Sequence, residues 1–331
     1  MYNAAIVGCG NIASGFDDVL MHEFPKTHAG AYWKSKKIYL IAACDPNFEK
    51  INNFKNKWGT KYTTPAIEDF IKIHEKIDVV SICSPTKIHF EHLKVALKLK
   101  PKVVFCEKPL TDNIEKSKEI VRKYTDANTT LVVNYSRRWD PDVIILKDRI
   151  QNKDLGKIYS ITGIYNKGIF NNGSHMIDLI QYIFGELDII STGPKIFDYS
   201  RTDPTISALL VTSKNIPVML NIADSRAYTI FELQIITENG VIRMEESGLV
   251  WIERRLQRSV EYPAYKVLDN GKRWKGRYLE TMHRTINNIE SNLDFGTVFP
   301  STGLTAFSTQ ITCHKLYELA MKRDPLLKDK K

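Results

Sequence analysis

The first thirteen residues restrict the fold more than any other stretch. Ala4-Ala5-Ile6-Val7 is a run of small and β-branched apolar residues, as expected of a strand covered on both faces. It enters Gly8-Cys9-Gly10-Asn11-Ile12-Ala13 without a break. This is G-x-G-x-x-A directly after a strand, the pattern of a turn that cradles a dinucleotide pyrophosphate. Gly8 allows the tight turn, Gly10 lets backbone approach a phosphate, and Ala13 permits a following helix to pack close to the strand. A helix opening here would offer its free N–H groups to the phosphates. The competing reading is a glycine turn in an unrelated α/β protein.

Further buried-type strands follow at Ile38–Cys44, Ile77–Cys83 and Leu131–Val133, with helical patterns between them at Ile88–Leu99 and Asn113–Asp126. Strand and helix in alternation predict a doubly wound parallel sheet. Asp45 closes the second strand, where a carboxylate takes both hydroxyls of an adenine ribose and repels a 2′-phosphate, favouring NAD over NADP. Its distance from the glycines exceeds the usual ~20 residues. The excess is assigned to an insertion from Phe16-Asp17-Asp18-Val19 through Phe24-Pro25-Lys26, either part of a lid or a passive surface loop.

Lys102-Val103-Val104-Phe105-Cys106-Glu107-Lys108-Pro109 reads as a short buried strand stopping in a Glu-Lys pair held by a proline. In such sheets ligands sit beyond the carboxyl ends of the strands. Lys108 therefore stands where cofactor and substrate would meet, and Pro109 biases its backbone towards an extended conformation. A lysine so placed can exchange a proton once desolvation or a neighbouring cation makes its ammonium easier to deprotonate. By itself the tripeptide reads first as a solvated pair in a βα loop. Ser84-Pro85-Thr86 falls at another strand end, and His89 after it reads first as a packing or capping residue.

After residue 140 the pattern changes. One helix over Pro141–Asn152 precedes strand-like runs at 159–165, 206–212, 218–223, 230–237 and 240–245, with a weaker one at 250–253. These predict a mostly antiparallel sheet. Asn171-Asn172-Gly173-Ser174-His175-Met176-Ile177-Asp178-Leu179 opens a helix that ends at Phe184-Gly185. His175 in its first turn either enters a cleft, with Asp178 three residues on to orient the ring, or packs as part of a cap. Leu304–Lys322 is a final amphipathic helix before a lysine-rich tail.

The chain has 331 residues, enough for one large or two ordinary domains. No apolar run approaches transmembrane length, and Met1-Tyr2-Asn3 leaves no room for a secretory leader before the first strand. Cysteines at 9, 44, 83, 106 and 313 contain no C-x-x-C, which fits free thiols in a reducing cytoplasm, and no metal site is expected. The formal charge of +9 is spread over many lysines, so a nucleic-acid partner has no motif behind it.

Taken together, these residues resemble the Gfo/Idh/MocA family of nicotinamide-dependent sugar oxidoreductases over almost the whole chain. The resemblance rests on Gly8 to Ala13, Asp45-Pro46, Ser84-Pro85-Thr86 with His89, Glu107-Lys108-Pro109, Asn134-Tyr135-Ser136-Arg137-Arg138-Trp139 and Gly173-Ser174-His175 with Asp178. It implies a Rossmann domain over 1–134 and a substrate-binding and oligomerisation α+β domain over 135–331, whose open, mostly antiparallel sheet joins two or four copies. The helix at 304–322 would be able to pack back on the first domain. The implied cofactor is NAD, with NADP less favoured. Its implied contacts are Gly8, Gly10, Asn11, Ile12, Asp45, Ser84, Pro85, Thr86, His89, Glu107, Lys108, Asn134, Arg138 and Trp139. The substrate hydroxyl would lie against Lys108 and His175, which share the proton transfer. Many family members carry Asp four residues before the catalytic His. Here that residue is Asn171, which can hydrogen-bond a sugar hydroxyl but cannot accept a proton.

Three functions follow. The first is a dehydrogenase or reductase of a nucleotide-linked or amino sugar in surface-polysaccharide synthesis. Its support is the basic run Arg254-Arg255, Arg258, Lys272-Arg273, Lys275 and Arg277, which otherwise reads as a solvated hairpin. The second is a free-sugar or inositol dehydrogenase. The third is a non-catalytic sugar- or cofactor-sensing regulator, which Asn171 favours and the pair Lys108 and His175 opposes.

Overall fold

The computed structural model describes residues 1–17 and 23–322; positions 18–22 of the insertion and the lysine-rich tail 323–331 lie outside the described residues. The chain forms two compact units, one of residues 1–139 and 279–308, the other of 140–278 and 309 onwards.

Unit 1 is built on strands β1 (Tyr2–Val7), β2 (Ile38–Cys44), β3 (Tyr62–Thr64), β4 (Val79–Ile82), β5 (Val103–Cys106) and β6 (Thr130–Val133). All pair in parallel, in the order β3-β2-β1-β4-β5-β6. Successive residues of a strand point to opposite faces. Ala5, Val7, Val80, Ile82 and Val104 accordingly enter one apolar core, and Ala4, Ile6, Val79, Val103 and Phe105 the other. Burial on both faces is why these strands read as unbroken apolar runs.

The connecting helices are α1 (His28–Lys34), α2 (Phe48–Trp58), α3 (His89–Lys98) and α4 (Ile114–Asp126). α2 sends Ile51, Phe54 and Trp58 into the core, and its ends are capped: the Asn47 side chain accepts from the Lys50 N–H, and Gly59 closes it in the left-handed region. α4 begins after Asn113, whose side chain accepts from the Glu115 and Lys116 N–H groups.

The fingerprint departs from expectation. The continuous helix expected after Gly10 is replaced by a single turn, in which the Ser14 N–H donates to Gly10 O and the Phe16 N–H to Asn11 O, followed by a 3-10 turn at Gly15–Asp17. α1 opens only at His28. There the His28 N–H donates to Ile12 O and the Ala29 N–H to Ala13 O, so the helical hydrogen bonding resumes after the excursion. The Asp17 carboxylate closes the base of that excursion by accepting from the backbone N–H groups of Lys26 and Thr27. Removing the excursion returns Asp45 to ordinary spacing from the glycines.

Unit 2 begins with α5 (Pro141–Gln151), capped by Asp140, and β7 (Ile158–Tyr165). A π-helical segment at Gly168–Gly173 runs into α6 (Ser174–Phe184). The strands β8 (Leu187–Ser200), β9 (Asp203–Thr212), β10 (Pro217–Ile222), β11 (Phe231–Thr237), β12 (Gly240–Glu245), β13 (Val250–Arg258), β14 (Lys266–Leu268) and β15 (Lys272–Lys275) follow. The sheet order is β14-β13-β12-β11-β7-β10-β9-β8, with β15 beside β13. Only β7 and β10 pair in parallel. β8 is the long strand that sequence patterning missed. Register shifts around Ser191 and Lys195, where Gly193-Pro194 sits, destroy the two-residue alternation.

Two further helices close the chain. α7 (Thr281–Phe295) belongs to unit 1, where Met282, Ile286 and Ile289 enter the core, so a linear division at 134/135 leaves this returning segment out. α8 (Gly303–Lys322) contributes Ala306 to the core of unit 1 and Cys313, Leu316 and Ala320 to that of unit 2.

Gly8 is the residue of the fingerprint with least freedom. Its φ is +91°, and a Cβ built there would lie 2.9 Å from the Ser84 backbone. Gly8→Ala should lower unfolding stability by ~2 kcal/mol or more, measured by urea denaturation; a change below ~0.5 kcal/mol would show that the turn tolerates a side chain.

Candidate active site

The site is assembled at the carboxyl ends of β1, β2, β4, β5 and β6. The Gly8 N–H donates to Cys44 O, and the Cys9 N–H donates to Asp45 Oδ2 at 2.9 Å. Asp45 Oδ1 takes the Asn47 N–H at 2.8 Å. Asp45 thus braces the glycine turn while remaining half-buried at the end of β2. A Cβ built at Gly10 would meet no atom within 4 Å, so that side of the turn is open to a phosphate. Asn11 is exposed and Ile12 half-buried beside it.

After β4, His89 ties two loops together. Its ring is buried, with Nε2 2.7 Å from Ser84 O and Nδ1 3.0 Å from Pro109 O. Burial pushes its pKa down, opposed by the Ser84 and Pro109 carbonyls. The Ser84 hydroxyl pairs with His92 Nδ1 at 2.9 Å, while Pro85 is exposed and Thr86 half-buried in the following 3-10 turn. His89 therefore positions the Ser84-Pro85-Thr86 loop against the loop that carries Lys108.

At the end of β5, Glu107 Oε1 lies 2.9 Å from His28 Nε2 and 2.6 Å from Asn134 Nδ2. Burial works against the ionised carboxyl, but His28, Asn134 and the charge of Lys108 hold its pKa below the usual carboxylate value. Lys108 is half-buried, and its peptide bond to Pro109 is cis. Asn134 is 6% exposed, and its Oδ1 has no hydrogen-bond partner among the described residues. A buried acceptor of this kind calls for a donor, and a ligand carrying an N–H would satisfy it. The open space at Gly10 and the unpartnered Asn134 oxygen fit a dinucleotide.

Arg138 and Trp139 follow Asn134 in a 3-10 turn. Both are buried, Arg138 donating to Pro300 O and Trp139 to Asn288 Oδ1, contacts that fasten the returning segment of unit 1.

In unit 2 two carboxylates shape the stretch before His175. Asp203 accepts the N–H groups of Phe170 and Asn171 at 2.9 and 3.0 Å. Asp198 accepts from the N–H groups of Lys167 and Ser225 and from the Thr205 hydroxyl. Burial alone would raise the Asp198 pKa, but these donors hold it below the usual carboxylate range. Between them they hold Lys167 in the left-handed region and the π-helical turn that carries Asn171. His175 is the second residue of α6 and half-buried, whereas Asp178 is buried and accepts from the Thr309 hydroxyl at 3.1 Å. His28, Ser81, Asp198 and Asp203 were not singled out by the sequence reading, because none belongs to a local motif.

The basic run of the β13–β15 region is largely matched within unit 2. Arg255 pairs with Glu253, Arg273 with Glu245 and Glu246, and Arg277 with Asp142, while Arg254 donates to Asp269 O. No cluster of three or more His, Cys, Asp or Glu able to hold a metal occurs among the described residues, and no helix there is long and apolar enough to cross a membrane.

Asp45 generates a direct test. Wild type should bind NADH more tightly than NADPH, and Asp45→Ser should narrow that gap by about tenfold, or ~1.4 kcal/mol, in a fluorescence titration. Tighter binding of NADPH by wild type would overturn the assignment.

Residues 2–135 match the family model described as the GFO_IDH_MocA oxidoreductase family, NAD-binding Rossmann fold. The chain is 25% identical over 268 residues to D-glucoside 3-dehydrogenase of Escherichia coli, covering 75% of this chain and 68% of that protein. It is 26% identical over 282 residues to myo-inositol 2-dehydrogenase of Thermotoga maritima, covering 76% and 81%. The fold matches the WlbA dehydrogenase from Bordetella pertussis, solved with NADH and UDP-GlcNAcA, at TM-score 0.77 and 16% identity over 97% of this chain and 96% of that one. On the family match, with its fingerprint at Gly8 to Ala13, residues 2–135 are those of the GFO_IDH_MocA oxidoreductase family and carry its NAD-binding Rossmann fold.

Proposed function

We propose that this protein is an NAD-dependent dehydrogenase acting on a secondary CH–OH of a sugar or cyclic polyol, with Lys108 and His175 as its proton-handling groups. The observation that carries the reading is Lys108 at the carboxyl end of β5, next to a Glu107 carboxylate pinned by His28 and Asn134. Bound NAD supplies the hydride acceptor or donor. The glycine turn and Asp45 hold its phosphates and ribose, leaving the protein side chains to manage the proton. In the oxidative direction the alcohol loses a hydride from carbon and a proton from oxygen, and Lys108 or His175 receives that proton. In the reductive direction the ammonium also stabilises charge developing on the oxygen. Asn171 orients a neighbouring hydroxyl through its amide rather than taking a proton.

The relatives include enzymes named for a glucoside and for an inositol, which supports a sugar or polyol substrate. A nucleotide-linked sugar of surface-polysaccharide synthesis would call for cations directed at a diphosphate. Arg255, Arg273 and Arg277 are engaged by carboxylates of their own unit, which favours a free sugar or glycoside over that substrate. Turnover on a panel of glucosides, inositols and UDP- and dTDP-sugars, followed by NADH absorbance, tests the choice. Lys108→Ala and His175→Ala should each lower kcat by at least ~100-fold while changing NADH affinity less than about threefold. Equal NADH signals from wild type and Lys108→Ala would contradict the site and leave a non-catalytic sensor as the better reading. UDP-sugar turnover exceeding that of free sugars would reverse the substrate choice.

Association of copies through the unit 2 sheet is part of the same proposal. Leu209 and Met219 pair across β9 and β10, 37% and 50% exposed, on the face turned away from the core. Light scattering should report a dimer or tetramer; a monomer at micromolar concentration would contradict it.

A further inference from the structure

A chain of buried polar groups runs through unit 1 behind the glycine turn. The Tyr32 hydroxyl lies 2.7 Å from Ser81 Oγ, Ser81 Oγ lies 3.0 Å from His28 Nδ1, and His28 Nε2 lies 2.9 Å from Glu107 Oε1. Asn134 Nδ2 reaches the same Glu107 oxygen at 2.6 Å. Tyr32, Ser81 and His28 are essentially without solvent exposure, and the His28 ring packs on Phe105 at 4.4 Å between centroids. The chain joins α1, β4 and the ends of β5 and β6.

The two hydrogen bonds to Glu107 have a determined direction. An ionised carboxylate only accepts, so His28 must carry its hydrogen on Nε2 and Asn134 must turn its N–H2 towards Glu107. From Nδ1 the chain continues through the Ser81 hydroxyl to the Tyr32 hydroxyl. One valence is left over, the Asn134 carbonyl oxygen, which is buried and without a partner among the described residues.

We propose that His28 is a positioning residue that, through Glu107, locks the Asn134 amide with its carbonyl oxygen presented to the carboxamide N–H2 of bound nicotinamide. Without His28, the Glu107 carboxyl loses a donor that supports its charge against burial, and a protonated Glu107 can donate to the Asn134 carbonyl oxygen and turn the amide over. The turned amide presents an N–H2 group to another N–H2, which repels. The inference rests on the cofactor reading above. It adds a role for the excursion-split helix, because His28 is the first residue of α1, where that helix resumes.

Binding assays separate the two readings. ADP-ribose lacks the nicotinamide, and the 3-acetylpyridine analogue of NAD lacks only the N–H2. Wild type should bind ADP-ribose, and should bind NAD about tenfold more tightly than the analogue, the scale of one buried hydrogen bond. His28→Phe keeps ring area against Phe105 and should reduce that tenfold preference to about twofold or less, with ADP-ribose affinity within twofold of wild type. His28→Gln, whose amide can donate to Glu107, should restore most of the preference. A His28→Phe protein that binds ADP-ribose normally and keeps the tenfold preference overturns the proposal, and so does a wild type that does not discriminate. If His28→Phe does not fold, Asn134→Ala carries the test: loss of the preference with ADP-ribose binding intact supports the proposal, and a surviving preference overturns it. Failure of wild type to bind ADP-ribose would overturn the cofactor reading and this inference with it.

Discussion

A carboxylate buried at the end of a parallel strand has to be met by donors, and the arrangement of unit 1 follows from how Glu107 is met. Desolvation opposes its charge, so its ionised form persists only because His28 and Asn134 donate to it and Lys108 stands beside it. Those donors come from α1 and from the end of β6, elements far apart in sequence. The carboxylate therefore fixes three chain segments at once. It also places Lys108 at a defined point on the ligand side of the sheet. His89 does the corresponding work on the other side of Lys108, tying the loop after β4 to the loop after β5 through two backbone carbonyls. Neither Glu107 nor His89 needs to touch a substrate to matter to the chemistry.

The excursion between Ser14 and Thr27 shows how an insertion can be tolerated inside a motif. Asp17 satisfies the backbone N–H groups where the excursion closes, and the helical hydrogen bonds from His28 and Ala29 return to Ile12 and Ala13. The extra chain leaves and re-enters at nearly the same point, so the sheet, the glycine turn and Asp45 keep their relation. Unit 2 uses a similar device. Asp198 and Asp203 accept backbone N–H groups on either side of an irregular turn, and that turn delivers Asn171 and His175 at the start of α6. A π-helical turn exposes backbone groups that a regular helix would satisfy internally, so carboxylates from β8 and β9 are needed to hold it.

The residues that sequence reading placed correctly on elements belong to strong local patterns. Continuous apolar runs made β1, β2, β4 and β5 legible, and the helices read at 113–126 and 141–152 stand as α4 and α5. β8 was not legible because Gly193-Pro194 breaks its alternation. α2 and α7 were overlooked although each carries an apolar stripe, Ile51 and Phe54 in one and Met282, Ile286 and Ile289 in the other. Arg138 and Trp139 look like site residues next to Asn134 in sequence. Their side chains reach Pro300 and Asn288, residues that return to unit 1 only after residues 140–278 of unit 2.

The amino-acid sequence by itself determined the two kinds of sheet, the glycine turn, the carboxylate that closes β2, and the position of Lys108 at a strand end. These depend on neighbours within a few residues, where periodicity and backbone preference act. Tertiary structure alone decided which groups face one another. His28 meets Glu107, Asp203 meets the Asn171 backbone, and Arg255 of β13 and Arg273 of β15 meet carboxylates of their own unit. Such pairings follow from buried polar groups seeking partners across elements, a requirement that leaves no periodic trace along the chain.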